Sequence, residues 1–169
     1  MKNRLNNYII KRYLESDYKE VLEMFVKFQD ENNVDIVSSS SHFLSKNEKR
    51  KRTEKSFKFH IGPNRKNYLV FDTDLSKIVG FTSFEGNNLQ LVFKNVDYYL
   101  GKNTINAQRQ LINTYCEQYN IKKLESVIFK RKKYKTYRKW VQRCFQTEEI
   151  NETDKYTSIK YKIPLDIIE

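Results

Sequence analysis

The sequence predicts an α/β fold in which a mixed, mostly antiparallel sheet of about six to seven strands carries helices on both faces. Strand-like and helix-like segments follow one another as strand, helix, helical region, three strands, helix, strand, helix and two strands. A run of strands with inserted helices is typical of such a sheet. The 169 residues fit one domain, 1–169, and four Gly and two Pro are too few for a flexible linker.

The N-terminal segment predicts a strand and an amphipathic helix. Residues 8–13, YIIKRY, predict the strand, and residues 16–30 predict the helix, with Ser16 as a candidate N-cap. The helix is indicated by apolar residues that recur at helical spacing along one side, namely Tyr18, Val21, Leu22, Phe25 and Val26. The polar segment 32–41 is predicted to be a loop.

A strongly basic region follows. Residues 41–67 predict one or two irregular helices that end before Gly62-Pro63, because this pair breaks helices. Seven Lys or Arg residues lie between Lys46 and Lys58. They are interpreted either as a solvated helix face or as a surface for an anionic partner.

Three consecutive strands are predicted in the middle of the chain. Residues 68–72 and 77–85 form two apolar runs around an Asp/Ser-rich turn, which is typical of a hairpin. Gly86-Asn87-Asn88 predicts a second turn, and residues 89–100 predict the third strand.

The C-terminal part predicts two more helices and three more strands. The helix 104–119 presents apolar residues on one side. A strand over 122–130, a helix over 132–143 and two closing strands over 144–150 and 155–165 complete the order.

The segment KRKKYKTYRKWVQRCF at 130–145 has two interpretations. Its eight Lys or Arg residues and lack of acids suit a nucleic-acid-binding helix. Its apolar residues Tyr134, Tyr137, Trp140 and Val141 fall at helical spacing, which instead favours a packed helix with a basic outer face.

The overall charge and the cysteines narrow the classes of function. A net charge of +11 makes an anionic partner plausible, either nucleic acid, an acidic protein or a phosphorylated cofactor. The two cysteines, Cys116 and Cys144, predict buried thiols and a cytoplasmic location rather than a disulfide framework. No apolar run approaches 18 residues, so no membrane span is expected. His42 and His60 lack metal-site spacing, so no metal is expected.

Three segments resemble the GNAT superfamily of N-acetyltransferases, and the order of elements is similar over nearly the whole chain. The opening IIKRYLESDYKEVLEMF looks like the family's first strand and helix, and YLVFDTDLSKIVGF looks like its central hairpin. YNIKKLESVIFK is similar to the strand that follows the cofactor helix. Counted back from Phe145, the family's fourth-helix pattern places Cys144 at its Gly, Trp140 at its Tyr, Thr136 at its Ala and Lys133 at its Asn.

The resemblance implies acetyl-CoA as cofactor, with its pyrophosphate at the start of the helix after the third central strand. Lys102 to Ala107 match the spacing of the family's phosphate motif, but Ile105 stands where the central Gly is usual. The implied cofactor-binding residues are Tyr98, Tyr99, Leu100, Lys102, Asn103, Thr104, Asn106, Ala107 and Arg109. Lys130 would add a phosphate contact. A plain strand-to-helix turn capped by Asn103 or Thr104 is the alternative.

The implied catalytic residues are Tyr137, Asp97 and Glu85. Trp140 stands at the family's usual general acid and has no ionisable group, so Tyr137, one turn earlier, is the candidate substitute, with Tyr134, Tyr98 and Tyr99 as alternatives. Asp97 and Glu85 are candidate general bases, and both are equally compatible with surface positions. A backbone N–H within 91–98 would polarise the acyl carbonyl.

The resulting hypothesis is an acetyl-CoA-dependent N-acetyltransferase acting on an amine of a small molecule or protein. The alternative is a catalytically silent protein of the same fold. It would bind nucleic acid or an acidic protein through the basic stretches 46–58 and 130–143. The sequence does not predict the acyl acceptor or the oligomeric state.

Overall fold

The computed structural model describes residues 7–32, 44–97, 102–130 and 134–169. Within these ranges, seven strands form one sheet in the order β1-β2-β3-β4-β5-β7-β6. The strands are β1 Tyr8–Arg12, β2 Lys66–Asp72, β3 Lys77–Glu85, β4 Asn88–Lys94, β5 Leu124–Phe129, β6 Thr147–Glu152 and β7 Tyr156–Tyr161. The helices are α1 Tyr18–Asn32, α2 Lys46–His60, α3 Lys102–Gln118 and α4 Lys135–Cys144. The predicted α/β architecture is confirmed.

Strands β1 to β4 form an antiparallel meander, and β5, β7 and β6 form a second antiparallel group. The two groups meet at β4 and β5, which run parallel. This connection is made through α3, as a parallel pair requires a crossover.

Helices α1 and α2 cover one face of the meander through aromatic side chains. Phe25 of α1 lies 5.5 Å from Phe57 of α2 and 4.9 Å from Phe93 of β4, measured between ring centroids. Phe81 of β3 stacks on Phe93 at 4.8 Å. All four rings are buried, so this cluster forms the core beneath the two helices.

Helix α3 covers the opposite face. Its Tyr115 ring stacks on Phe84 of β3 with 3.8 Å between centroids, and the Thr82 hydroxyl donates a hydrogen bond to Gln108 at 3.0 Å. Gly80 permits this close packing, because a Cβ atom built there would lie 1.8 Å from the Gln108 amide nitrogen. A side chain at position 80 would therefore displace the Gln108 amide from its place beside β3.

The basic region 46–60 forms one regular helix rather than irregular pieces. The Ser45 hydroxyl accepts a hydrogen bond from the Glu48 N–H, and the Glu48 carboxylate accepts one from the Ser45 N–H at 2.8 Å. This reciprocal capping box fixes the start of α2. The chain enters α1 through a short 3-10 turn at Glu15–Asp17, in which the Asp17 carboxylate accepts the Leu14 N–H at 3.0 Å, so the predicted N-cap Ser16 lies inside this turn.

Strand β4 is shorter than the predicted strand 89–100, which is a correction. It ends at Lys94. The Asp97 N–H donates to the Asn95 side chain at 3.1 Å, so the chain turns directly after the strand. The predicted strand residues 98–100 lie outside the described residues.

The C-terminal segment after β7 runs along α3 and is held by asparagine side chains. Asn113 exchanges two hydrogen bonds with the backbone of Leu165, at 2.7 and 2.8 Å. Asn106 does the same with the backbone of Ile168, at 2.8 Å for each bond. The segment therefore extends toward the N-terminal end of α3. None of the helices in the described ranges combines the length and apolar character needed to cross a membrane.

Candidate functional site

A gap opens between the parallel strands β4 and β5. They pair at Asn88 and Glu125, where the Glu125 N–H donates to the Asn87 carbonyl at 3.0 Å, and no further pair follows along these two strands. The register with β3 moves from Leu91 opposite Ser83 to Leu89 opposite Phe84. Gln90 is therefore the extra residue of a β-bulge, and a bulge bends its strand locally.

The Tyr137 hydroxyl from α4 lies in this gap and accepts a hydrogen bond from the Val92 N–H of β4 at 3.1 Å. In a continuous sheet that N–H would pair with the neighbouring strand, so the tyrosine takes the place of β5. The hydroxyl proton is not used in this bond, because the oxygen is the acceptor. Tyr137 can therefore still donate to a group that enters the gap.

Burial raises the pKa of Tyr137 to about 12, while the hydrogen bond from Val92 opposes this rise. The phenol consequently keeps its proton throughout the neutral range. This protonation state is the one that a general acid needs before it gives up its proton.

The gap leads to a cavity of about 180 Å³. Its walls are built mostly from apolar and aromatic side chains of α1, β4, β5, α4 and β7. Those residues are Phe25, Phe28, Gln29, Leu89, Gln90, Leu91, Ser126, Val127, Ile128, Phe129, Tyr134, Tyr137, Val141 and Tyr161. A largely apolar cavity with a few polar groups is the usual form of a small-molecule site.

Gln29 and a Ser126–Tyr161 pair add polar groups to this cavity. Gln29 of α1 is only 6% exposed, and its side-chain amide nitrogen has no hydrogen-bond partner among the described residues. Ser126 of β5 and Tyr161 of β7 hydrogen-bond to each other at 2.9 Å. Burial also raises the pKa of Tyr161. Gln29 thus offers a donor to a ligand, whereas the Ser126–Tyr161 pair is already satisfied.

Helix α4 packs as predicted from its apolar stripe. Tyr137, Val141 and Cys144 are buried, Tyr134 and Trp140 are half-buried, and the basic residues Lys135, Lys139 and Arg143 are exposed. The Trp140 ring lies 5.8 Å from Phe28 and 6.1 Å from both Tyr137 and Phe145. Trp140 therefore supports the wall of the site through packing.

The start of α3 holds the residues that the sequence assigned to a phosphate site. Lys102 is exposed, Asn103 is half-buried and Thr104 is buried, while Tyr98, Tyr99 and Leu100 lie outside the described residues. Ile105 is half-buried and packs against the core. No acidic residue lies in the first turn of α3, so the positive end of the helix dipole is not offset there.

Three of the predicted cofactor-binding residues lie deeper in α3 and are buried. Ala107 belongs to the apolar core. Asn106 holds the backbone of Ile168, as described above, and Arg109 donates to the carbonyls of Cys144 and Asp166 at 2.9 and 2.8 Å. Asn106 and Arg109 thus tie α3 to the end of α4 and to the C-terminal segment. Their roles toward a cofactor stay predictions.

The two candidate bases lie outside the cavity. Glu85 is at the end of β3, 3.0 Å from Arg65, and Asp97 is exposed and 2.8 Å from the Lys27 ammonium. The hydrogen bond from Lys27 lowers the pKa of Asp97, which weakens it as a base. The structure therefore brings neither carboxylate together with Tyr137.

The remaining candidates are accounted for by packing and ion pairs. Cys116 and Cys144 are buried free thiols, and burial raises the pKa of each to about 11. Lys130 lies 2.8 Å from Glu152. Within the described residues, His, Cys, Asp and Glu form no group that could hold a metal ion.

Sequence reasoning missed Gln29, Gln90, Ser126 and Tyr161 in the wall of the cavity. Gln29 had one available signal, since it lies four residues after Phe25, on the apolar side of α1. A polar residue on such a face is a candidate for a buried functional group. The Gln90 bulge depends on the pairing with β3 and has no comparable local signal.

Comparisons by sequence identify no relative: no family model matches the chain and no curated protein matches it. Solved structures do match. RimL, a ribosomal L7/L12 alpha-N-protein acetyltransferase in complex with coenzyme A, is 12% identical with a TM-score of 0.58, over 95% of this chain and 97% of that chain.

Two other solved structures of N-acetyltransferases also match over most of this chain. A GCN5-related N-acetyltransferase from Rhodopseudomonas palustris is 12% identical with a TM-score of 0.55, over 94% of this chain and 98% of that chain. A variant of the spermidine N-acetyltransferase SpeG from Vibrio cholerae is 11% identical with a TM-score of 0.55, over 91% of this chain and 94% of that chain. At these identities the likeness establishes the fold.

Proposed function

We propose that this chain, which has the fold of the GNAT N-acetyltransferases, transfers an acetyl group from acetyl-CoA to an amine. The observation that carries the proposal is the gap between β4 and β5. There a backbone N–H of β4 and a protonated tyrosine hydroxyl meet beside an apolar cavity. A backbone donor and a neutral acid are the groups that acyl transfer from a thioester needs.

The residues present fit acetyl-CoA at the gap. The Val92 N–H points away from β3, as its bond to Tyr137 shows, so it is available to an acyl oxygen once the hydroxyl moves. The apolar walls suit an acetyl group and the carbon chain that leads to it. The start of α3 supports anion binding through its helix dipole and Lys102.

Bound acetyl-CoA would supply a thioester whose carbonyl carbon an amine attacks directly. Val92 would donate its N–H to the carbonyl oxygen and stabilise the negative charge that develops there. Tyr137 would release its bond to Val92 and donate its proton to the sulfur as the carbon–sulfur bond breaks. The amine loses one proton as its nitrogen bonds to the acyl carbon. Asp97 and Glu85 remain the proposed bases for that proton, reached through water.

The charge of the chain favours an amine on a protein or peptide over a polyamine. SpeG is a spermidine N-acetyltransferase and RimL a ribosomal-protein one. This chain carries a net charge of +11, which repels a polycation at long range and lowers its rate of encounter. We therefore propose a peptide amine as the acceptor class.

The test is amine-dependent release of the CoA thiol from acetyl-CoA, followed with a thiol reagent. The panel contains peptides with free N-terminal amines, the same peptides with blocked termini, and spermidine. Thiol release with the free peptides above the blocked controls supports the proposal. Release that is unchanged by every amine, together with no calorimetric binding of acetyl-CoA at millimolar concentration, contradicts it.

A second candidate function is a binding protein with the same fold and no catalysis. Tyr137 already occupies the Val92 N–H, and Asn106 and Arg109 are engaged by the C-terminal segment, which favours this alternative. This alternative predicts thiol release that is unchanged by every amine, together with no calorimetric binding of acetyl-CoA.

A further inference from the structure

The outward side of α2 combines cations with an exposed aromatic ring. Phe57 points inward and is fully buried, so the residues on the opposite side of the helix face away from the sheet. These are Lys51, Arg52, Lys55, Lys58 and Phe59, which we call the α2 outer face, and all of them are exposed. The face extends along about 12 Å of helix, at about 1.5 Å per residue.

The cations of this face are largely unpaired. Lys58 lies 3.3 Å from Glu54. Lys51, Arg52 and Lys55 have no carboxylate partner among the described residues. The nearby acids serve elsewhere: Glu48 caps the helix at Ser45, and Glu54 accepts a bond from the Tyr18 hydroxyl at 2.6 Å. A positive potential therefore remains along the face.

Phe59 is the second observation, and it is independent of charge. Phe59 is 65% exposed, whereas most phenylalanines among the described residues are buried. The Arg65 guanidinium lies 4.8 Å from the ring centroid and is itself 3.0 Å from Glu85. One side of the ring is thus held by a fixed guanidinium, while the exposed side is open to a flat partner.

We propose that the α2 outer face binds single-stranded nucleic acid. Lys51, Arg52 and Lys55 would contact phosphates, and Phe59 would stack on a base. Cations that contact the phosphate backbone, combined with aromatic rings on which bases stack, are how proteins bind single strands without sequence preference. An acidic protein would contact the same cations through its carboxylates, but Phe59 would have no role in that contact. This site is separate from the gap between β4 and β5 and does not depend on acyl transfer.

The test measures binding of a fluorescently labelled oligouridylate of about 12 nucleotides by anisotropy at several salt concentrations. Three variants are compared with the wild type: Lys51→Glu with Lys55→Glu, Phe59→Ser, and Lys122→Glu with Lys123→Glu. The last pair carries the same charge change on two exposed lysines between α3 and β5. Thermal unfolding of each variant confirms that it is folded.

The wild type is expected to bind, and the affinity to fall with salt. The α2 double variant should lose at least about tenfold in affinity, and its slope of log K against log salt should be shallower by roughly 1.4, or 0.7 for each lost phosphate contact. Phe59→Ser should lose about tenfold in affinity with an unchanged slope. The Lys122/Lys123 variant should stay within about twofold of the wild type.

Three results would overturn the proposal. The first is no binding by the folded wild type at low salt. The second is an equal loss in the two charge-reversed variants, which would show that only the overall charge matters. The third is wild-type affinity of Phe59→Ser for the oligouridylate, together with binding of polyglutamate as tight as that of the oligouridylate. This result would assign the face to acidic proteins.

Discussion

At the scale of single residues, the Tyr137 hydroxyl and the Val92 N–H share one hydrogen bond of 3.1 Å. In Tyr137→Phe the proton donor is lost and the Val92 N–H is left without its partner. We expect turnover to fall by roughly 100-fold or more, because general acids contribute about 10²–10⁴-fold. The free energy of unfolding should fall by about 1 kcal/mol, as for a typical hydrogen bond. Steady-state kinetics and denaturant unfolding measure the two effects.

The matched control for this change is Tyr156→Phe, which removes a hydroxyl from an exposed tyrosine on β7. It should change neither turnover nor stability. Turnover of Tyr137→Phe equal to that of the control would show that Tyr137 packs α4 against β4 without donating a proton.

Gln29 gives a second residue-scale prediction, because its buried amide nitrogen lacks a partner among the described residues. Gln29→Met keeps the length of the side chain and removes the polar atoms. We expect the free energy of unfolding to stay equal or to rise by about 1 kcal/mol, since an unsatisfied buried donor is costly. The KM for acetyl-CoA should increase, because Gln29 lines the cavity that we propose for the acetyl group and its carbon chain.

Gln90→Met is the corresponding control, because Gln90 lines the same cavity but is half-buried on the bulge. A marked loss of stability in Gln29→Met would indicate that the amide is satisfied in the folded protein and that no ligand group is needed there.

The sequence predicts the packing of some residues but not the long-range contacts of others. The packing of Tyr137 and Val141 follows from their spacing, and the structure confirms it. The contact between Tyr137 and Val92 joins residues 45 positions apart, so no local pattern contains it. The burial of Gln29 likewise depends on α4 and β4 closing over α1, which periodicity within α1 does not describe.

At the scale of elements, α3 and the C-terminal segment form a unit through Asn106 and Asn113. Asn106→Ala removes two hydrogen bonds to the backbone of Ile168. We expect the free energy of unfolding to fall by about 1–3 kcal/mol, because backbone groups lose their partners. Affinity for acetyl-CoA, measured by calorimetry, should stay within about twofold of the wild type.

Asn113→Ala is the matched control, since it removes the equivalent pair to Leu165 farther along α3. Both variants should lose similar stability. If Asn106→Ala alone lowered the affinity about tenfold or more, Asn106 would be a cofactor ligand, as the sequence resemblance implies.

Elements also differ in predictability. The helices α1, α3 and α4 follow from their apolar stripes. For α2 only the stop before Gly62 was predicted, whereas its regular course and its capping box were not. The end of β4 was predicted wrongly, because the residues after Lys94 include β-prone side chains. Asn95 nevertheless turns the chain by accepting the Asp97 N–H. The bulge at Gln90 arises from pairing with β3, so it is visible only in the structure and not in the local sequence.

At the scale of the whole molecule, buried tyrosines predict a loss of stability at alkaline pH. Burial raises the pKa of Tyr115 and of Tyr137 to about 12. An unfolded tyrosine loses its proton near pH 10, so between pH 10 and 12 the unfolded state binds fewer protons than the folded state. Each such group should lower the free energy of unfolding by up to about 1.4 kcal/mol per pH unit.

Denaturant unfolding at pH 9, about 10 and about 11 measures this slope. It should be shallower in Tyr137→Phe than in the wild type, because that variant lacks one of the buried phenols. A free energy of unfolding that stays constant across this range would contradict the assignment of these phenols as buried and protonated.

The most direct measurement of the central claim is an amide NMR titration of the labelled wild type with acetyl-CoA at physiological salt. The claim is that the gap between β4 and β5 binds the acyl group and that the Val92 N–H exchanges the Tyr137 hydroxyl for the acyl oxygen. We predict a saturable shift of the Val92 amide at micromolar acetyl-CoA, with no shift at Ile150 on the distant edge strand β6. An unshifted Val92 amide at millimolar acetyl-CoA would contradict it.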